Sequence, residues 1–179
     1  METVQFEERL FTPGSTITVA GPSGSGKTSI CMGILRYRQQ LFTEPVAGTV
    51  YFYSEMQPAY KNGDIGPVYW HQGVPTIEQL EGYISKFQGK FFLMCFDDLF
   101  GQLVDSDIAR DITTKYTHHR NFTCLAITQN IFAQGRQARN QAVNSHFYIL
   151  TRTTRELKQI SMLGDQMQPG KGRRLLEVK

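Results

Sequence analysis

The feature that most constrains the fold is a glycine-rich segment, GPSGSGKT, at positions 21–28. It matches the pattern G-x-x-x-x-G-K-[ST] at every position. Residues 16–20 before it are typical of a β-strand, and from 28 to about 42 apolar residues recur at helical spacing. Glycines between a strand and a helix let several backbone N–H groups point inward and cradle phosphate oxygens. The segment therefore predicts a phosphate-binding loop, and the flanking strand and helix argue against a chance glycine-rich turn.

Two side chains of this loop carry specific roles. Lys27 is expected to reach the β- and γ-phosphates of a nucleotide, and the Thr28 hydroxyl to help hold Mg²⁺. The positive end of the helix dipole adds to the attraction for phosphate. The predicted cofactors are ATP and Mg²⁺. The predicted nucleotide contacts are Gly21, Pro22, Ser23, Gly24, Ser25, Gly26, Lys27, Thr28 and Ser29.

Strand and helix patterns alternate along the rest of the chain. Further strands are predicted at 50–53, 68–71, 91–96, 122–127 and 146–150, and helices at 77–87 (with Thr76 as N-cap), 104–116 and 154–163. This alternation predicts an α/β domain with a mostly parallel central sheet between helical layers. Together with the phosphate loop, it leads us to expect a P-loop NTPase fold of the RecA/ASCE-like type. We assign residues 1–163 to this domain and 164–179 to a basic, flexible C-terminal tail.

Two carboxylates follow the apolar strand at 91–96. Parallel strands present their carboxyl ends to the ligand crevice, where the phosphate loop also lies. Asp97 fits the residue that binds Mg²⁺ through water, and Asp98 fits the residue that orients and deprotonates the attacking water. Asp is also a common capping residue, so capping of the following loop is the alternative role for Asp98.

The next strand, 122–127, runs into three polar residues, Thr128, Gln129 and Asn130. Gln129 suits a sensor beside the γ-phosphate because its amide can donate and accept hydrogen bonds at once. The alternative is a strand-end amide that satisfies loop backbone.

Composition and charge narrow the class of protein. The chain is 40% hydrophobic and 20% charged, which excludes disorder as its main state. No apolar run is long enough to cross a bilayer, and the acidic N-terminus lacks the order of a signal peptide, so we expect an intracellular protein without a membrane partner. The three cysteines are widely spaced in apolar segments, which predicts buried reduced thiols.

Positive charge is concentrated at the C-terminus. Residues 151–179 hold 7 Lys/Arg against 3 Asp/Glu, whereas residues 1–150 hold 12 against 13. This distribution suggests an acidic partner such as nucleic acid, and a solvated basic tail explains it equally well.

Several segments together resemble one group of proteins. They are the phosphate loop, the acidic pair 97–98, AITQN at 126–130 with Arg139 and Asn140 downstream, and NSHFYI at 144–149. They are similar to the viral genome-packaging ATPases of the HerA/FtsK superfamily, of the poxvirus type and the Polinton- and adintovirus-like type. YFYSEMQP at 51–58 with Tyr60, and QGVP at 72–75, also resemble the second-strand region of that group, so the resemblance covers most of residues 15–163.

The resemblance implies an ATP-hydrolysing motor that moves double-stranded DNA into a preformed viral capsid. It implies a homo-oligomeric ring of about five or six subunits acting with a capsid or portal protein. The expected location is the infected host cell, in nucleus or cytoplasm, and transiently the virion vertex. It also implies an arginine that stabilises charge on a neighbouring subunit's γ-phosphate; Arg139 is the best match, with Arg136, Arg152 and Arg155 as rivals.

Alternatives remain open at the level of the sequence. DNA contacts are expected from the basic tail (Lys171, Arg173, Arg174 and Lys179), from Lys61, or from the segment 136–139. One rival function is a small-molecule kinase, for which 135–139 would be the arginine-containing lid. The other is a non-catalytic, ATP-gated assembly or DNA-binding module.

Overall fold

The computed structural model describes residues 9–61, 64–99, 121–129, 145–151 and 157–170. The helix predicted at 104–116, the candidate arginines Arg136, Arg139, Arg152 and Arg155, and the basic residues of 171–179 lie outside these ranges.

Each predicted strand in the described part of the chain is present, within a residue or two of its predicted ends. The strands are β1 (Thr16–Ala20), β2 (Thr49–Tyr53), β3 (Val68–Gln72), β4 (Phe92–Asp97), β5 (Phe122–Thr128) and β6 (Phe147–Leu150). Their apolar, β-branched and aromatic residues suit a buried pleated surface, which is why the local pattern locates them.

All six strands form one parallel sheet in the order β3-β2-β4-β5-β1-β6. One strand, β5, separates β1 from β4, so the phosphate loop and the acidic pair end two strands that are not neighbours. The residue that follows β5, Gln129, is thereby placed between them. The predicted parallel α/β fold of the RecA/ASCE-like type is confirmed.

The described helices are α1 (Lys27–Arg36), α2 (Arg38–Leu41), α3 (Ile77–Lys86) and α4 (Leu157–Met167), and a short 3-10 turn covers Pro58–Lys61. The single helix predicted from 28 to about 42 is wrong in one respect, because it breaks at Tyr37 into α1 and α2. The helix predicted at 154–163 is present as α4, which runs on to Met167, four residues past the predicted end; residues 154–156 lie outside the described ranges.

The sheet buries a different apolar cluster on each face, since successive strand residues point to opposite sides. In β2, Tyr51 and Tyr53 lie in the same cluster as Cys31 and Leu35 of α1. Val50 and Phe52 lie in the other cluster, with Leu80 and Ile84 of α3. Helices therefore cover both faces, which is why β4 can be apolar on each side.

Helix α3 begins at the predicted residue. The Thr76 hydroxyl accepts from the backbone N–H of Gln79, and the Gln79 side chain accepts from the backbone N–H of Thr76, which forms a capping box. Ile77, which the helical spacing placed on the apolar face, is instead 56% exposed. It lies in the first turn, before the helix packs onto the sheet at Leu80.

The cysteines are as the sequence predicts. Cys31, Cys95 and Cys124 are free thiols, and all three are buried. Among the described residues, no helix combines the length and apolar character needed to cross a membrane.

Candidate functional site

The phosphate loop leaves the carboxyl end of β1 and turns into α1 through glycine. Gly26, the N-cap of α1, has φ 89°, a left-handed conformation that a residue with a side chain rarely adopts. The backbone N–H of Ile30 then donates to the carbonyl of Gly26 at 3.0 Å, so regular helix begins at the next residue. The first N–H groups of α1 have no carbonyl within the helix to bond and point toward the loop, as an anion site requires.

Lys27 folds back across this loop. Its Nζ donates a hydrogen bond to the carbonyl oxygen of Pro22 at 3.0 Å, and the residue is only 7% exposed. The ammonium group therefore lies against the phosphate loop itself. Thr28 is half-buried, while Ser23 and Ser29 are exposed at the same end of the domain.

Gly21 is required for a different reason, which is close packing against Thr151. A Cβ at Gly21 would lie 1.7 Å from the Thr151 Oγ1. That hydroxyl is hydrogen-bonded to Ser25 Oγ at 2.6 Å and donates to the carbonyl of Ala20 at 3.3 Å. The residue that follows β6 thus supports the phosphate loop, a contact that the sequence did not reveal.

Asp97 ends β4 on the α1 side of the sheet and is only 2% exposed. The hydroxyls of Tyr51 and Tyr60 both donate to its Oδ2, at 2.9 Å and 2.7 Å. Tyr51 belongs to the neighbouring strand β2, whereas Tyr60 comes from the 3-10 turn at Pro58–Lys61. The carboxylate predicted to bind the metal is therefore held by two phenols for which the sequence indicated no role at the site.

Opposing effects set the protonation of Asp97. Burial raises its pKa, the hydrogen bonds from Tyr60 and Tyr51 lower it, Asp98 raises it, and the charge of Lys27 lowers it. The net direction is upward. Because the charge of Lys27 acts on Asp97, the phosphate loop and this acid share one site.

The two phenols remain protonated donors. Burial is the largest cause that raises the pKa of Tyr60 and of Tyr51 well above the ordinary value, and the adjacent Asp97 charge acts in the same direction. Both hydroxyls therefore keep their protons at physiological pH and can donate to Asp97.

Asp98 differs from its neighbour in conformation and surroundings. It has φ 54°, in the left-handed region that Asp tolerates better than most residues, and is partly exposed. Its backbone N–H donates to the carbonyl of Ile127 at 3.2 Å, while its Oδ2 accepts from Gln129 Nε2 at 3.2 Å. The predicted base and the predicted sensor thus touch each other. The backbone turn between Asp97 and Asp98 aims one acid into the interior and the other toward solvent.

The donor set suits Mg²⁺. The candidate ligands are a carboxylate oxygen of Asp97 and the Thr28 hydroxyl, both hard oxygen donors. Within the described ranges, no group of three or more His, Cys, Asp and Glu residues could hold a metal. Mg²⁺ fits such a sparse set because it is commonly bound by one or two protein oxygens together with substrate phosphates and water.

The described residues bring most of the predicted site together. The ends of β1, β5 and β4 place the phosphate loop, Gln129 and the acidic pair at one edge of the sheet. Arg139 lies outside the described residues, so its predicted role remains a prediction. Tyr51, Tyr60 and Thr151 are additional residues of the site. The rule that a buried tyrosine needs a hydrogen-bond partner could have indicated the first two, although it does not identify that partner.

Solved structures match this chain at low sequence identity. The cytoplasmic domain of EssC matches at 12% identity, over 84% of this chain and 34% of that chain, with a TM-score of 0.52. Two RuvB mutants from Thermotoga maritima match at 12% and 10% identity, over 86% and 92% of this chain and 44% and 45% of theirs, with TM-scores of 0.44 and 0.41. This chain thus spans less than half the length of each.

No protein-family model matches the chain, and no curated protein matches its sequence at a significant level. At such identities the structural likeness concerns the fold alone. With the phosphate loop and the sheet order, it identifies the domain as one with the P-loop NTPase fold.

Proposed function

We propose that this chain is a Mg²⁺-dependent ATPase, and that its hydrolysis drives double-stranded DNA into a preformed viral capsid. The observation that carries the ATPase part is the meeting of three strand ends at one site. These ends supply the phosphate loop with Lys27, the buried carboxylate of Asp97, and the hydrogen-bonded pair of Asp98 and Gln129.

The residues divide the chemistry among them. The loop N–H groups and Lys27 bind the β- and γ-phosphates. Thr28 and Asp97 would hold Mg²⁺, which would neutralise charge that develops on the phosphates. Asp98 orients a water molecule and accepts its proton as the water oxygen bonds to the γ-phosphorus and the bond to the ADP oxygen breaks. Gln129, which donates to Asp98, fixes the direction of that carboxylate.

The translocation part of the proposal comes from the resemblance to viral packaging ATPases, not from the likeness to solved structures. The motor would be a homo-oligomeric ring that works with a capsid or portal protein in the infected cell, with Arg139 as the arginine supplied to a neighbouring subunit. An arginine in such a position is worth about 10³–10⁵ in rate. A kinase and a non-catalytic ATP-gated module are the rivals.

The decisive experiment is steady-state ATP hydrolysis with and without long double-stranded DNA, for the wild type, Asp98→Asn and Lys27→Ala. We expect turnover stimulated by DNA in the wild type. Asp98→Asn should lose about 10²–10⁴-fold in rate, as expected for removal of a general base, and still bind ATP. Lys27→Ala should lose both binding and turnover, because its ammonium group contacts the phosphates in the ground state.

Each alternative predicts a different result. Turnover that DNA does not change, with transfer of phosphate to a small acceptor, would favour the kinase. ATP binding without turnover, even when DNA is added to an assembled ring, would favour the ATP-gated module. Equal turnover by the wild type and Asp98→Asn would leave Asp98 only the loop-capping role.

A further inference from the structure

Two phenols meet on a single oxygen of a buried acid, and this contact is not needed to build a phosphate loop. Tyr51 and Tyr60 donate to Asp97 Oδ2 from two separate segments of the chain. Tyr51 is fully buried and Tyr60 is 6% exposed. A buried carboxylate needs such donors, because its charge is otherwise removed from water without compensation.

Both hydrogen bonds end on the same atom. A carboxylate oxygen offers about two lone-pair sites, so two phenolic donors use those of Oδ2. Oδ1 is then the oxygen of Asp97 left for a metal ion or its bound water. The two phenols therefore determine which oxygen of Asp97 is available to the ion. They also fix the rotation of the carboxylate about its Cβ–Cγ bond.

Ring packing holds Tyr60 in place independently of its hydrogen bond. Its ring stacks on Trp70 of β3 with a centroid distance of 5.0 Å and an interplanar angle of 28°. The Tyr51 ring contacts both, at 5.1 Å from Tyr60 and 5.0 Å from Trp70. Because the aromatic contacts survive loss of the hydroxyl, a Tyr60→Phe change removes one donor without removing the support.

We infer that Tyr51 and Tyr60 are positioning residues for Mg²⁺, which they align through Asp97. The inference rests on the proposed ATPase function for the identity of the ion. Tyr60 makes the turn at Pro58–Lys61 part of the outer shell of the metal site, although that turn lies in the loop between β2 and β3. Residues of this kind usually change metal affinity or activity by about 10–100-fold when they are replaced.

The test compares Tyr60→Phe with a matched control, Tyr53→Phe. Tyr53 belongs to the same aromatic cluster, with its ring 5.6 Å from Tyr60 and 6.2 Å from Trp70, and the hydroxyls on Asp97 Oδ2 are those of Tyr51 and Tyr60. The measurement is Mg²⁺-dependent binding of a fluorescent, non-hydrolysable ATP analogue. Thermal unfolding without Mg²⁺ is recorded for each variant as a check of the fold.

We expect Tyr60→Phe to raise the Mg²⁺ concentration for half-maximal analogue binding by about 10-fold or more. Tyr53→Phe should stay near the wild-type value, and the affinity for the analogue without Mg²⁺ should be the same in all three proteins. Tyr51→Phe should behave like Tyr60→Phe. If its buried position prevents folding, Tyr60→Phe and its control decide the question.

The outcomes separate this inference from the proposed function. Mg²⁺-dependent binding by the wild type, with equal Mg²⁺ requirements in Tyr60→Phe and Tyr53→Phe, overturns the inference and leaves the ATPase proposal standing. A wild type whose nucleotide binding ignores Mg²⁺ overturns both, and that result is read from the wild type alone. A lower unfolding temperature in Tyr60→Phe with an unchanged Mg²⁺ requirement overturns the inference as well, because the phenol then only stabilises the fold.

Discussion

Asp97 is suited to its role in the site, but its buried charge lowers the stability of the folded protein. Its carboxyl group lies in the interior with 2% of its surface exposed, and burial raises its pKa despite two phenolic donors. A raised pKa means that folding favours the protonated acid over the ionised one. The ionised carboxylate that a metal requires is therefore the form that opposes folding.

Asp97→Asn should consequently stabilise the metal-free protein at neutral pH, by about 0.5–2 kcal/mol, the range common for a single stabilising change. The amide oxygen can still accept from Tyr51 and Tyr60, and no charge is buried. Below the unfolded pKa of Asp97 the acid is protonated in both states, so the advantage should be small there. It should grow as the pH rises from the unfolded pKa to the raised pKa of the folded state, and level off above that.

Denaturant unfolding of the two proteins at several pH values, without Mg²⁺, measures this difference. The same variant should lose Mg²⁺-dependent nucleotide binding, which separates its effect on the fold from its effect on the site. A variant less stable than the wild type at neutral pH would mean that the two phenols outweigh the burial of the charge.

At the scale of elements, the end of β6 is coupled to the phosphate loop through one hydroxyl. Thr151 Oγ1 joins the carbonyl of Ala20 to the hydroxyl of Ser25, and its position leaves room only for glycine at Gly21. The phosphate loop is thus held by the residue that follows β6, the strand at one edge of the sheet. This residue is far along the chain from every predicted phosphate contact. A substitution at the end of β6 should therefore change the affinity for nucleotide.

Thr151→Ala should weaken ATP binding by about 2–10-fold, since a hydrogen bond of this kind contributes about 0.5–1.5 kcal/mol. Thr151→Ser keeps the hydroxyl and should bind ATP nearly as the wild type does. Titration with a fluorescent ATP analogue gives both values. Equal affinities for the alanine and serine variants would show that the hydroxyl plays no part in shaping the loop.

The elements that the sequence predicts well are those set by local pattern. The strand around Phe96 is predictable because buried parallel strands are apolar on both faces. The strands around Val19 and Phe52 are predictable because they are rich in β-branched and aromatic residues. Thr76 is predictable as an N-cap because capping is a local interaction. The order of strands is not predictable in the same way, since it depends on contacts between distant segments.

Arg38, the first residue of α2, makes a contact that no local sequence pattern predicts. Arg38 is 7% exposed, and its Nη1 donates to the carbonyls of Leu35 and Ile65. Its side chain points inward and binds the loop before β3, which is remote from Arg38 in sequence. The same limit applies to Tyr60, whose partner Asp97 is 37 residues away. Local periodicity records the face of a helix, and it contains no information about such partners.

At the scale of the whole molecule, the proposed motor must grip DNA without reading its sequence. Such a grip uses phosphate contacts, which release counterions and make affinity depend on salt. The concentration of positive charge in residues 151–179 is the feature of this chain that suits that role. Binding should therefore be independent of sequence and weaken as salt rises.

Deleting residues 170–179 removes Lys171, Arg173, Arg174 and Lys179. If all four contact phosphates, the slope of log affinity against log salt should fall by up to about 3.6, from about 0.9 per contact. A full-length control with glutamine at these four positions separates charge from length. Wild-type binding that is equal at low and high salt would overturn the prediction of phosphate contacts. An unchanged slope in both variants would assign the DNA contacts to another segment.

The burial of Cys31, Cys95 and Cys124 has a practical consequence for studying such an assembly. Thiol-directed dyes react with the exposed thiolate, and burial raises the pKa of all three thiols while keeping them from solvent. The natural chain should therefore react little with such dyes, and no cysteine has to be removed before labelling. A cysteine introduced at an exposed position such as Gln88 would carry the only dye on each subunit, so that fluorescence energy transfer between labelled copies would report how many subunits assemble and how they move.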